Sequence, residues 1–315
     1  MKSVIIKMKY SIIFIVVLFF QSCSNEKIEN NWTKENLKGK VKSYSEFYYK
    51  ATNRSDNNVK SLRLKNAYKK RTQKKYDPKG FKIEENQYNS DGVLYTKSIY
   101  KYDKKGHNIE FYAYKADSSL AYKWINKYNK KDHIIEKTVY KSDGSLGSKW
   151  TYKYDEKGNQ IEENWYNLYG DLYRKSAYKY DLKGHNIEKN NFDSDGSLHS
   201  KQENKYDKKG NNTEIIWYDS DEIIDIKFIY KYDEKGKKIE TNKYNSNGSL
   251  QSKKTYKYDD KANKIEEIWY NSEGSIEKKL TYKYIFDKLG NCIKRIDFEN
   301  DIPKYILERK YEYYK

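Results

Sequence analysis

The sequence predicts an all-β fold: a long antiparallel meander of 26-residue β-hairpin repeats, about twenty strands in a twisted or spiralling single sheet. Three observations predict it. Tyrosine accounts for 36 of the 315 residues and proline for only two, and aromatic residues favour strands. A Tyr-Asp pair, or Tyr-Asn in its place, returns every 26 residues over most of the chain. Two turn signals in each interval leave two segments of about eight residues, which is strand length.

Each repeat is counted from the tyrosine of this pair, here termed the origin tyrosine. The origin tyrosines are Tyr76, Tyr102, Tyr128, Tyr154, Tyr180, Tyr206, Tyr232, Tyr258 and Tyr284. Glycine stands four positions after the origin in most repeats, and Asp132 and Ala262 are the exceptions. A second glycine stands sixteen positions after it, and Ser118 and Glu222 are the exceptions. Because glycine adopts the backbone angles of tight turns, residues 76–284 are predicted to form an array of hairpins.

The segment Leu146–Tyr154, LGSKWTYKY, shows why these segments are predicted to be strands. Its aromatic residues fall on one parity and its lysines on the other, and this period of two indicates a strand with two different faces. In the following segment, isoleucine and glutamate recur seven and eight positions after the origin, as at Ile161 and Glu162.

Two registers remain open for the hairpins. If both turns are three-residue loops with a left-handed glycine, one face carries Leu146, Tyr152, Tyr154, Glu162 and Tyr166. A two-residue first turn instead places Ile161 with the tyrosines and Glu162 with Lys153. The second register builds ladders of lysine and glutamate and requires a bulge before Tyr166.

The N-terminus is predicted to direct export and lipid anchoring. Lysines precede the apolar run Ser11–Phe20, which is too short to span a membrane. The residues from Phe20 to Cys23, FQSC, resemble a bacterial lipobox, which implies a signal peptide over residues 1–22, lipidation of Cys23 and a tether over residues 23–33. The membrane partner is then reached through the N-terminal lipid, and the expected location is the outer membrane, on its surface or periplasmic face. The alternative is a plain secretory signal with an incidental cysteine.

The two flanks of the array are predicted to cap it. Residues 34–75 contain fourteen lysines and arginines against three acidic residues, within a chain of net charge +18, and we expect basic capping strands there. Such a surplus is suited to anionic envelope lipids or acidic glycans, or serves only as a charged edge that blocks strand addition. Nucleic acid is not expected as a partner of an exported protein. Residues 285–315, where Ile285 and Phe286 break the period, are predicted to form a C-terminal capping repeat.

No catalytic residues, metal site or cofactor are predicted. A catalytic pair must be a single preorganised constellation, whereas Asp155 and Glu162 recur in nearly every repeat and therefore belong to turns and strands. Residues 191–198 imitate the start of a calcium loop, but Gln202 stands where the bidentate glutamate belongs. Cys292 has no histidine near it in sequence, and an inert thiol is expected.

The histidines are also predicted to be structural. His107, His133 and His185 share one position just after the turn, and equivalent positions of successive repeats lie two strands apart. That separation of about 10 Å is too long for two imidazoles to share one metal ion. We therefore expect turn residues rather than ligands at these positions.

Tryptophan provides the candidate binding residues. Trp165, Trp217 and Trp269 share one repeat position and return in every second repeat, so that four strand spacings, roughly 19 Å, separate them. If exposed, they form a series of platforms on which a polysaccharide can stack; if buried, they are cross-strand packing. Trp124 and Trp150 share another position in adjacent repeats, with the same two interpretations.

The recurring strings YKYDEKGN, from Tyr152 to Asn159, and YKYDLKGHN, from Tyr178 to Asn186, resemble YD or RHS repeats over roughly residues 76–300. The resemblance implies bacterial cell-surface or toxin-shell proteins, whose long sheets spiral into shells. An array this short is not expected to enclose cargo. The sequence therefore favours an exported, lipid-anchored, non-enzymatic scaffold that presents an extended Tyr/Trp/Lys surface, with glycans as candidate ligands. The alternative is a purely structural or adhesive envelope lipoprotein without a small ligand.

Overall fold

The computed structural model describes residues 29–51 and 68–315, so the predicted signal peptide and Cys23 lie outside the described residues. A single helical turn, α1 (Asn31–Lys34), precedes the strands. The strands are β1 (Val41–Lys50), β2 (Tyr68–Tyr76), β3 (Lys82–Tyr88), β4 (Leu94–Tyr102), β5 (Asn108–Lys115), β6 (Leu120–Tyr128), β7 (Ile134–Lys141), β8 (Leu146–Tyr154), β9 (Gln160–Tyr166), β10 (Leu172–Tyr180), β11 (Asn186–Asp193), β12 (Leu198–Tyr206), β13 (Asn212–Tyr218), β14 (Ile224–Tyr232), β15 (Lys238–Tyr244), β16 (Leu250–Tyr258), β17 (Lys264–Tyr270), β18 (Ile276–Phe286), β19 (Cys292–Glu299) and β20 (Ile302–Tyr313). Within the described ranges, no helix is long and apolar enough to cross a membrane.

The strands form one sheet that closes into a barrel. Each strand pairs antiparallel with the next, and β20 also pairs with β1 over residues 41–50. The predicted all-β meander of about twenty strands is confirmed. The two flanks of the array meet here, because β1 and β20 satisfy each other's backbone hydrogen bonds and leave the twenty described strands without a free edge. A barrel of this strand number is wide enough to enclose a lumen.

Both turns of a repeat follow one pattern, shown by the turn between β8 and β9. The Asp155 amide donates to the carbonyl of Asn159, and the Gly158 amide donates to the carbonyl of Asp155. The Asp155 carboxylate also accepts a hydrogen bond from the Asn159 amide at 2.8 Å. Gly158 has a φ of 90°, in the left-handed region that glycine enters without steric cost. Most turns are therefore built from aspartate or asparagine and a glycine, as the sequence predicts, and Ser118, Asp132, Glu222 and Ala262 adopt the same positive φ where glycine is replaced.

The register combines features of the two alternatives. Lys153 pairs with Glu162, as the second alternative requires, and Trp150 pairs with Trp165. The pairing shifts by one residue beside the turn, because Tyr154 pairs with Gln160 and leaves Ile161 without a cross-strand partner. Ile161 is accordingly exposed and does not join the tyrosines. A local bulge, which periodicity does not reveal, thus decides the arrangement.

The faces of the closed sheet differ in crowding. On the face of the origin tyrosines, rings stack across neighbouring strands, as Trp150 and Trp165 do with centroids 5.7 Å apart. On the opposite face, Lys153 keeps 67% of its side-chain surface exposed. Side chains converge on the concave side of a closed sheet and diverge on the convex side. The origin tyrosines and the tryptophans of β8 and β9 therefore line the inner wall, and the lysine–glutamate pairs cover the outer wall.

The outer wall carries a regular ladder of ion pairs. The Glu162 carboxylate lies 2.7 Å from the Lys153 ammonium of its own hairpin and 2.9 Å from the Lys175 ammonium of the next. The same lysine–glutamate–lysine arrangement occurs at Glu84, Glu136, Glu214 and Glu240. Hydrogen bonds from Lys153 above all, then from Lys175 and Asn164, lower the pKa of Glu162 to about 2.

This ladder predicts a loss of stability in acid. A carboxyl group with a lowered folded-state pKa contributes stability above its unfolded pKa, near 4.5, and that contribution is lost as the pH falls towards 2. We expect the urea concentration at the midpoint of unfolding to decrease as the pH is lowered from 5 to 2.5. Glu162→Gln is expected to make this decrease smaller. Glu156→Gln, in the turn outside the ladder, serves as the control. An equal decrease of the urea midpoint with pH for wild type and Glu162→Gln would contradict the prediction.

The origin tyrosines join neighbouring hairpins. The Tyr154 hydroxyl donates to the carbonyl of Ile134 at 2.7 Å, at the end of the β7–β8 pair where no turn links the strands. The same bond, to the carbonyl twenty residues earlier, is made by Tyr102, Tyr128, Tyr180, Tyr206, Tyr232, Tyr258 and Tyr284. The strict recurrence of tyrosine therefore has a structural cause, because each hydroxyl closes one repeat onto the next.

The largest fully buried side chains among the described residues, Tyr76 and Val41, lie where the barrel closes. Val41, Tyr44 and Tyr76 form a buried cluster, against which Trp32 of α1 packs. The carboxylate of Glu35, directly after α1, accepts hydrogen bonds from the Tyr76 hydroxyl at 2.9 Å and the Tyr44 hydroxyl at 3.1 Å. The Nζ atom of Lys74 lies 2.8 Å from the same carboxylate. The N-terminal segment thus fastens β1 and β2 at the seam.

Candidate functional site

The inner wall is the part of the barrel that differs from repeat to repeat. On the outer wall, lysine and glutamate return at fixed positions. On the inner wall, the position four residues before the origin is tryptophan in β6 and β8, glutamine in β12, phenylalanine in β14 and lysine in β16. The position nine residues after it is Phe111, Lys137, Glu163, Lys189 or Ile215. Uniform residues therefore build the scaffold, and the varied ones concentrate inside.

Five inner-wall residues on β5–β9 form a continuous row, here termed the aromatic belt: Phe111, Trp124, Lys137, Trp150 and Trp165. The Phe111 and Trp124 rings stack with centroids 5.2 Å apart and planes 10° apart. The Trp150 and Trp165 rings stack in the same way at 5.7 Å. Between these two pairs lies the Lys137 ammonium, 5.0 Å from the centre of the Trp124 ring and 5.7 Å from that of Trp150.

The belt is an amphipathic surface. Its aromatic residues are half-buried in the wall, except Phe111, which is buried, so the indole rings keep part of their surface open to the inside of the barrel. Tyr173 extends the row, with its ring edge-on to Trp165 at 4.5 Å. Burial lowers the pKa of Lys137, partly countered by the charge of Glu163. Flat apolar rings beside a cation suit a ligand that has both ring faces and polar groups.

The other predicted platforms also lie on the inner wall but do not repeat the surroundings of Trp165. Trp217 pairs across the sheet with Gln202 and Ile226. Trp269 has the Lys254 ammonium 3.8 Å from its ring centre, and its indole N–H donates to Glu267 at 2.6 Å. All three tryptophans are half-buried. The structure thus brings Trp165 together with Trp150 and leaves Trp217 and Trp269 four and eight strands further along the wall.

Three of the four histidines, His107, His133 and His185, lie in turns, as the sequence predicts, and His199 lies in β12. His107 stacks on Tyr128, His133 on Tyr154 and His185 on Tyr206, each on the origin tyrosine of the next repeat. Their role in the described structure is therefore to pack one turn against its neighbour. Among the described residues, no group of three or more His, Cys, Asp or Glu side chains is arranged to hold a metal ion.

The remaining candidates have structural surroundings. Asp195, in the calcium-like loop, accepts hydrogen bonds from the amide and hydroxyl of Ser197, which is turn chemistry. Asp155 shapes its turn and Glu162 belongs to the outer ladder. Cys292 is a free, half-buried thiol, and burial raises its pKa, which disfavours the reactive thiolate.

Two members of the belt, Phe111 and Lys137, were not identified from the sequence, and Trp124 and Trp150 were not joined to Trp165. Trp124 and Trp150 share a repeat position, and Phe111 and Lys137 share another, so the separate signals are present. Only the observed pairing, Phe111 with Trp124 and Lys137 with Trp150, brings them into one row. The strand register, which the sequence left open, is therefore what was needed to predict the row.

Comparison with protein-family models finds a match over residues 96–170, to a family described only as an uncharacterised protein. The matched segment contains the whole aromatic belt and about a quarter of the chain. No curated protein matches the sequence.

Solved structures similar to this chain include toxin-complex proteins and a porin-like protein. The Photorhabdus luminescens Tc holotoxin pore shares 12% identity, with a TM-score of 0.29, over 76% of this chain and 16% of the other. The TcdB2-TccC3 structure without its hypervariable C-terminal region shares 14% identity, with a TM-score of 0.33, over 80% and 16%. A porin-like protein from Bacteroides uniformis shares 12% identity, with a TM-score of 0.33, over 86% of this chain and 98% of the other. The chain thus spans about a sixth of each toxin chain.

Proposed function

We propose that this protein is an exported, non-enzymatic scaffold that binds a polysaccharide on the inner wall of its barrel. The observation that carries the proposal is the aromatic belt, with Trp150 and Trp165 stacked at 5.7 Å and partly open to the inside. Sugar rings present C–H groups on their faces and hydroxyls on their edges. They therefore pack on indole rings while hydrogen-bonding to neighbouring polar side chains.

The distribution of residues supports binding inside rather than outside. The outer wall is occupied by lysine–glutamate pairs, which satisfy one another and leave few large apolar surfaces in the ladder rows. Lysine side chains that face lipid cost about 2–4 kcal/mol each at the centre of a bilayer, and glutamates cost somewhat less. The ladder is therefore suited to an aqueous surrounding, with the membrane reached through the proposed N-terminal lipid on Cys23.

The binding proposal predicts that the full chain binds at least one polysaccharide saturably. Trp165→Ala is expected to weaken that binding tenfold or more, because truncation of a central aromatic residue commonly costs 2 kcal/mol or more. The measurement is isothermal titration calorimetry against a panel of plant, fungal and bacterial polysaccharides.

Tyr166→Ala is the matched control, because Tyr166 is adjacent in β9 and pairs with Lys149 on the outer wall. Its affinity is expected to equal that of the wild type. If no polysaccharide in a broad panel binds saturably, the proposal is abandoned in favour of a purely structural or adhesive envelope component.

Lipid anchoring predicts that Cys23→Ser abolishes incorporation of labelled palmitate when the full chain is expressed in a diderm bacterium. The thiol of that residue is the only group in the lipobox-like string that accepts the lipid. Cys292→Ser is the control and is expected to leave the label unchanged. Equal labelling of Cys23→Ser and wild type would show that the N-terminus is not a lipoprotein signal.

A further inference from the structure

The basic residues of the inner wall fall into two groups. Several are neutralised by a nearby carboxylate: Lys82 by Glu85 at 2.7 Å, Arg295 by Asp297 at 2.6 Å and Arg309 by Glu46 at 2.7 Å. In the second group, which also includes Lys238 over Tyr230 and Lys254 over Trp269, no ammonium lies within 4.0 Å of an acidic group in the part of the chain that the structure describes. Lys137 and Lys189 are its two members nearest to Glu163. Each of these two ammonium groups lies over an aromatic ring instead, Lys137 over Trp124 and Trp150 and Lys189 over Tyr178.

The ring contacts do not neutralise these cations. A cation over an aromatic face gains about 0.5–2 kcal/mol, which offsets only part of the lost hydration. Burial accordingly lowers the pKa of both lysines. An anion placed beside either ammonium recovers the attraction that the ordinary carboxylate partner supplies elsewhere on the wall.

One carboxylate lies between them. Glu163 occupies the same repeat position on β9 that Lys137 occupies on β7 and Lys189 on β11, so each lysine is two strands, roughly 10 Å, away from it. Its Oε2 atom accepts a hydrogen bond from the Tyr178 hydroxyl at 3.0 Å. Glu163 therefore attracts both lysines at long range without forming an ion pair with either.

From this arrangement we infer that the ligand of the aromatic belt is an acidic polysaccharide, with a sugar ring on Trp150 and Trp165 and its carboxylate paired with Lys137. Lys189 pairs with a second carboxylate of the polysaccharide, further along the inner wall. The inference rests on the proposed function and adds to it the charge of the polymer. It also explains why a cation stands inside a row of aromatic rings, where a neutral sugar requires none.

The test compares two forms of one polymer on the full chain: polygalacturonate, and the same polymer with its carboxyl groups reduced to alcohols. We expect the carboxylated form to bind at least tenfold more tightly, since hydrogen bonds to charged groups are the stronger class. Lys137→Gln is expected to remove most of this difference, and Lys137→Arg to retain it. Glu163→Gln is expected to increase the affinity for the carboxylated form.

The matched control is Lys153→Gln, which removes the same charge from the outer wall of the adjacent strand and is expected to keep the difference. This control distinguishes carboxylate binding at the aromatic belt from the general electrostatic attraction of a basic protein for polyanions. Equal binding of the two polymers overturns the inference while leaving polysaccharide binding intact, whereas absence of binding by either polymer and by every other polysaccharide overturns both. Binding only to anionic phosphatidylglycerol vesicles likewise overturns it, in favour of a lipid surface.

Discussion

Tyr76→Ala is expected to lower the free energy of unfolding by about 3–5 kcal/mol, as removal of a buried aromatic side chain does. Tyr76 is 1% exposed, and its ring stacks on Tyr44 with centroids 6.2 Å apart. Its hydroxyl donates to Glu35, and its backbone carbonyl accepts a hydrogen bond from the Tyr314 hydroxyl at 2.6 Å. The substitution therefore leaves a cavity at the seam and a half-buried carboxylate with one donor fewer.

The change in the free energy of unfolding is measured by urea unfolding monitored through tryptophan fluorescence. Tyr169→Ala, at a turn residue that is 81% exposed, is the control and is expected to change stability by less than about 0.5 kcal/mol. Tyr76→Phe keeps the ring and loses only the hydroxyl, with an expected cost of about 1.5–3 kcal/mol. Equal midpoints for Tyr76→Ala and Tyr169→Ala would show that the seam does not limit the stability of the barrel.

Gly106→Ala is expected to destabilise the protein by about 2–5 kcal/mol. The φ of Gly106 is 98°, and a side chain in left-handed backbone costs roughly 1–2 kcal/mol. In addition, a Cβ atom would lie 2.4 Å from Cζ of Phe81, whose ring packs against Tyr102 with centroids 4.9 Å apart. Relief of that overlap requires displacement of a packed ring, which costs about 1–3 kcal/mol more.

Gly144→Ala isolates the backbone contribution. Gly144 has a φ of 83°, and its Cβ would meet nothing within 4 Å, so only the cost of the left-handed conformation is expected. Ser118 and Glu222 already occupy equivalent turn positions at φ values of 65° and 58°, which shows that these turns accept a side chain. The comparison uses urea midpoints of both variants, and a smaller loss for Gly106→Ala than for Gly144→Ala would refute the steric argument.

Strands and turns were predictable because their causes are local. The turn after Tyr154 needs an aspartate side chain that accepts the Asn159 amide and a glycine with positive φ, and both residues are visible in the sequence. Closure of the barrel was not predictable in this way. It depends on pairs such as Tyr44 with Tyr311, which lie at opposite ends of the chain and carry no repeat signature.

The candidate site was likewise predictable from the sequence only in part. Trp165, Trp217 and Trp269 were identified from their spacing, and all three lie on the inner wall. That Trp165 stacks on Trp150, and that Lys137 lies between two tryptophans, depends on a one-residue shift beside each turn. Such a shift exchanges the faces of all residues beyond it, so periodicity alone left two registers open.

The sequence by itself determined the repeat, its hairpins and its turn chemistry, because backbone preferences act over a few residues and recur every 26. It also indicated the role of the carboxylates, since Glu162 returns at a fixed position and pairs with Lys153 as one alternative required. Only the tertiary structure decided which face is inside, because convexity is a property of the closed sheet and not of any strand. Because the aromatic face is the inner one, Trp150, Trp165 and Lys137 lie together on the inner wall. There the rings of neighbouring strands stack, and the Lys137 ammonium has no carboxylate partner.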